Sequence, residues 1–116
     1  MNGGEKRFAR GISRAMIRSY KLYKQSDSSF SEFELVKKTL SDRPGRAAEI
    51  LQVNIEGSNY WENIVKSSFV EIIFTLVYIE YLENMHGTMD TVNESTQAVF
   101  RNTISEEIKN ANLYGA

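Results

Sequence analysis

The stretch from Ser58 to His86 runs 29 residues without a Gly or Pro, and it constrains the fold more than any other part of the chain. Between Phe69 and Leu82, 11 of 14 residues are apolar or aromatic, and only Glu71, Thr75 and Glu80 interrupt them. At helical spacing, Trp61, Ile64, Val65, Phe69, Ile72, Phe74, Leu76, Val77, Tyr78, Ile79 and Leu82 spread nearly all round the axis, the pattern of a helix covered on several sides. Val70, Ile72, Phe74, Leu76 and Tyr78 also alternate as a strand would, but no turn signal divides the segment and it is too long for one strand. A continuous helix over Ser58–His86 would be about 42 Å long. That is more than a chain of 116 residues needs to build a globule, and the excess suggests a partner. A membrane span is not expected, because the apolar run falls short of about 20 residues and carries two carboxylates.

Length and composition indicate one helical domain with an ordinary core, residues 1–116, whose first four residues are a flexible tail. The chain has no cysteine, which removes disulfides, thiolate metal sites and a Cys nucleophile together and is compatible with a cytoplasmic setting. The net charge of −1 conceals an asymmetry. Residues 1–58 hold 11 Lys/Arg against 7 Asp/Glu, whereas residues 59–116 hold 3 against 8. Such opposed halves can pack on each other, meet an acidic partner, or drive head-to-tail self-association.

Five helices are predicted. In the first, Glu5–Gln25, Phe8, Ile12, Ala15, Met16, Leu22 and Tyr23 face inward and Arg7, Arg10, Arg14, Arg18 and Lys21 form a basic stripe. Residues 5–24 are Arg-rich and acid-poor, as transit peptides are, but the apolar periodicity favours a retained helix. Gly11 lies inside it and allows close approach of another helix. Ser31 and Glu34 have capping-box spacing, with Phe30 and Leu35 at the staple positions, so a short helix begins near Glu32. Asp42 is read as the cap of a third helix with Pro44 in its first turn, Ala47, Ile50, Leu51 and Ile55 inward, and Gly57 at its end. Ser58 or Asn59 caps the fourth, with Glu62 bonding back and Gly87 closing it. Thr91 and Glu94 open the last, which runs to about Asn112 with an inward stripe of Val92, Val99, Phe100, Thr103, Ile104 and Ala111. The expected fold is therefore all-α, a small five-helix bundle with a long buried hydrophobic fourth helix.

Chemistry is sparse. Glu83 and His86 have metal-ligand spacing, but with one histidine in the chain a protomer cannot complete a carboxylate-bridged site. A histidine facing the helix C-terminus is the simpler role, and no metal or other cofactor is expected. Glu71 and Glu80 are expected to meet polar neighbours or cations of the first helix. A helix-turn-helix over residues 44–66 would give its reading helix only Lys66 as a cation, too few donors for phosphate and base contacts. Neither a phosphate-binding glycine loop nor a serine triad can be assembled. The expectation is thus a non-enzymatic interaction or assembly module, self-associating, whose stripe of Arg7, Arg10, Arg14, Arg18 and Lys21 contacts an acidic protein partner. Tyr20 and Tyr23 are possible anchors or core. The alternative is nucleic-acid binding through the same stripe, against which a pI of about 5.9 argues.

Overall fold

A computed structural model describes residues 2–56, 68–85 and 92–113. They form α1 (Asn2–Ser26), α2 (Glu32–Ser41), α3 (Arg46–Glu56), α4 (Phe69–Asn84) and α5 (Glu94–Ala111), with no strand among them. The all-α bundle is as the hydrophobic periodicity implies.

Helix α4 is the centre. Phe69, Ile72, Ile73, Phe74, Leu76 and Val77 are buried, and Val70, Tyr78, Ile79, Tyr81 and Leu82 pack half-buried against the same core. Such burial is possible only because α1, α3 and α5 all contact α4. Each fully buried Leu, Ile or Phe side chain contributes about 1.5–3 kcal/mol. Rings link the helices: Phe8 of α1 meets Tyr81 edge-on at 5.4 Å, Tyr81 meets Phe100 of α5 at 5.2 Å, and Tyr20 stacks on Phe69 at 4.9 Å. The pairs Phe8–Tyr81 and Tyr20–Phe69 make α1 and α4 antiparallel. Two buried hydroxyls are satisfied within their own helices: Ser13 donates to the Ala9 carbonyl and Thr39 to that of Leu35, each at 2.7 Å.

The fourth helix is shorter than expected. Ser68 is extended (φ −164°, ψ 111°) and its Oγ accepts the Glu71 N–H at 3.3 Å, so α4 starts at Phe69. Its 16 residues span about 24 Å. The proposed caps at Ser58 and Asn59, Glu62, and the closing Gly57 and Gly87 lie outside the described residues. At α5, Asn93 is the cap, its Oδ1 accepting the Thr96 N–H at 2.9 Å, in place of the expected Thr91–Glu94 box. Asparagine is among the best capping residues, and Asn112 ends the same helix in the left-handed conformation (φ 53°). Asp42 does not cap α3. It retains helical geometry at the end of α2 and its N–H is bonded to the Lys38 carbonyl. The turn into α3 passes through Gly45 at φ +116°. The Ser31 cap stands as expected, accepting the Glu34 N–H at 3.2 Å.

Three further expectations change. Residues 2–4 belong to α1, not to a tail. Leu22 is 62% exposed: it lies on the edge shared with Phe8 and Ala15, where burial is already partial. Ile50 is exposed too, at the margin of a face centred on Ala47, Ala48 and Leu51.

Gly11 is exposed, and a Cβ built there meets nothing within 4 Å, so no helix approaches it closely. Gly11→Ala is therefore expected to raise stability by about 0.5–1 kcal/mol, seen as a higher urea midpoint. Gly45→Ala, equally free of clashes but held at positive φ, is expected to lower it by about 1 kcal/mol. The turn between α1 and α2 adds a pH dependence. The Asp27 carboxylate accepts the Ser29 hydroxyl at 2.6 Å and the Ser29 N–H at 2.9 Å, and these bonds hold its pKa below the ordinary 3.8. Its contribution to stability is complete above the ordinary value and is lost as pH falls through the lowered one. An NMR titration is expected to place the Asp27 midpoint below that of an unstructured aspartate, and Ser29→Ala to move it back up.

Candidate interaction surface

The basic stripe occupies one side of α1, but its members do not share one environment. Helix α5 runs beside α1 in the same direction, since Arg10 and Arg14 reach Glu107 and Lys24 reaches Leu113 further along. Arg14 Nε donates to Glu107 Oε1 at 2.7 Å, and Arg10 Nε stands 3.9 Å from Oε2. Glu107 is only 12% exposed, against 37% for Arg10 and 60% for Arg14. Solvent screens an arginine that exposed, so the Arg14 pair contributes no more than about 1 kcal/mol. Arg7, Arg18 and Lys21 are exposed and form no ion pair among the described residues.

Between α1 and α5 lies a groove of about 340 Å³. Ile17 and Ala111 give it apolar walls, Arg14, Arg18 and Lys21 supply cations, and Glu107 and Asn110 complete the lining. Beyond it, Lys24 donates to the Leu113 carbonyl at 2.9 Å, just past the end of α5. Tyr20 is not an anchor. It is fully buried, stacked on Phe69, and donates to Glu32 at 2.5 Å. Tyr23 is half-buried, and its hydrogen bond to the Asp42 carboxylate raises its phenol above the usual pKa.

Glu71 and Glu80 do have cationic partners, but not on α1. Arg43, in the α2–α3 turn, grips Glu80 through two bonds of 3.0 and 2.9 Å. Arg101 of α5 pairs with Glu71 and lays its guanidinium over the Phe74 ring, 3.9 Å from the centroid. Glu83 is exposed near the end of α4, while His86 and the proposed reading helix at Ser58–Lys66 lie outside the described residues. A second surface groove, about 370 Å³, runs between α2 and α3 past Lys37, Lys38 and Val53. Val53 is 70% exposed there, which the sequence reading did not anticipate.

The residue that sequence reasoning missed is Glu107. A signal was present: it lies three residues after Ile104 and four before Ala111, inside the inward stripe of α5, where a carboxylate needs a cation. Comparisons with protein-family models, with curated proteins and with solved structures find no match to this chain. The functional reading therefore rests on the geometry of this surface. Among the described residues, no helix is long and apolar enough to cross a membrane.

The two carboxylates of α4 are expected to differ in weight. The Arg43–Glu80 pair is bidentate and mostly shielded, at 23% and 18% exposure, so Glu80→Gln is expected to cost about 2 kcal/mol in urea unfolding. Glu71→Gln, in a pair more than one-third exposed on both sides, is expected to cost less than about 1 kcal/mol.

Proposed function

We propose that this chain is a non-enzymatic helical interaction module that binds an acidic segment of a protein partner along the α1–α5 groove. The observation that carries the reading is the conjunction of exposed cations, Arg18 and Lys21, with half-buried Ala111 and the edge of the core residue Ile17 in one groove. Fully solvated charge needs no apolar floor. A carboxylate-bearing segment with an occasional aliphatic residue would use both.

The nucleic-acid alternative is less well supported. Glu107 engages Arg10 and Arg14 at the middle of the stripe, leaving Arg7 on one side and Arg18 and Lys21 on the other. A phosphate backbone following the stripe would have to pass a carboxylate. The reasons for expecting self-association are also weaker. Helix α4 has no excess length, and opposite charges of the two halves meet within one chain, as Arg14–Glu107 and Arg43–Glu80.

A short fluorescent polyglutamate peptide is expected to bind at low salt, and Arg18→Glu/Lys21→Glu to weaken it by about tenfold or more. Labelled duplex DNA serves as the competing probe. Three available cations would give a log affinity against log salt slope of about −2.7, and five a slope of about −4.5. Duplex binding tighter than peptide binding, with the steeper slope, would replace the acidic-partner reading by the nucleic-acid one. Absence of binding to both probes would overturn both.

A further inference from the structure

The groove contains its own carboxylate, and this has a bearing on affinity. Glu107 projects from α5 toward two arginines of α1 and is itself largely withdrawn from water. Its position copies that of a ligand: a carboxylate at 2.7 Å from Arg14 Nε and 3.9 Å from Arg10 Nε, at the edge of the same groove that Arg18 and Lys21 line. We propose that Glu107 is a built-in competitor that sets the affinity and selectivity of this face. An incoming acidic segment meets Arg18 and Lys21 at once, but gains the Nε donors of Arg10 and Arg14, which face Glu107, only by exchanging one of its carboxylates for that of Glu107. This inference rests on the acidic-partner reading above and adds to it a specific control residue.

The exchange is feasible because the outer partner is wet. Arg14 is 60% exposed, so its guanidinium can swing outward while its aliphatic stem stays on the helix surface. Glu107 has less freedom, and its withdrawal from water disfavours leaving it unpaired. The competitor therefore lowers the affinity of a singly charged ligand by about fivefold. A ligand with several carboxylates, anchored first at Arg18 and Lys21, competes at high effective concentration.

The test uses the same polyglutamate peptide and the full chain, with helix content and melting followed by circular dichroism. Glu107→Gln keeps the shape and removes the charge. It is expected to bind about fivefold tighter than the wild type, with a steeper salt dependence. Arg14→Ala is expected to weaken binding several times more in the Glu107→Gln background than in the wild type. Wild-type binding that Glu107→Gln leaves unchanged or weakens would overturn the competitor role while leaving the acidic-partner reading intact. Failure of both proteins to bind would overturn both. Should Glu107→Gln not fold, the wild-type background decides: Arg14→Ala is expected to cost less affinity than Arg18→Ala, and equal losses would overturn the proposal.

Discussion

Burial of α4 on several sides is the constraint on which the rest depends. Ile72, Ile73, Leu76 and Val77 have no exposure to solvent, and no single neighbouring helix could achieve that. Three other helices contact α4, and each needs an apolar face aligned with it. The ring chain Phe8–Tyr81–Phe100 shows how the alignment is fixed: one aromatic side chain of α4 serves as the contact for both α1 and α5. Once α1 and α5 are drawn to the same helix, they become neighbours of each other. Their outer margins then carry cations on one side and Glu107 on the other.

Charge follows from that packing and does not lead it. The basic and acidic halves of the chain meet at Arg14–Glu107, Arg10–Glu107 and Arg43–Glu80, so part of the asymmetry is resolved inside the molecule. On the stripe, and among the described residues, Arg7, Arg18 and Lys21 form no ion pair, and the last two stand beside half-buried Ala111 and the edge of buried Ile17. This residue of charge is more informative than a net value near zero, because its position is defined and it adjoins a groove.

Most of the fold was legible in the sequence, since periodicity reports burial directly and the Ser31 box reports a helix start. The misplaced boundaries have a common cause: several capping residues compete, and only geometry selects among them. Ser68 and Glu71 have the same spacing as Ser31 and Glu34, but Ser58 and Asn59 offer earlier caps in the same stretch without Gly or Pro. Asp42 has the capping position that a Pro two residues later favours, whereas its backbone continues the helical geometry of α2. The site was legible only in part. All five cations could be named from α1 alone, but their division into engaged and available depends on Glu107, 93 positions from Arg14, and pairings at that separation have no local signature.

The parallel contact between α1 and α5 also shapes the order of assembly. Helices that neighbour in space while standing so far apart in sequence raise the contact order, and their union must await closure of a large loop. During synthesis, α1 emerges with its apolar face uncovered on the α5 side, and Arg10 and Arg14 have no Glu107 to hold them until α5 has been made. For that interval the basic side of α1 lacks the carboxylate that α5 later supplies, so its charge is less compensated than in the finished fold.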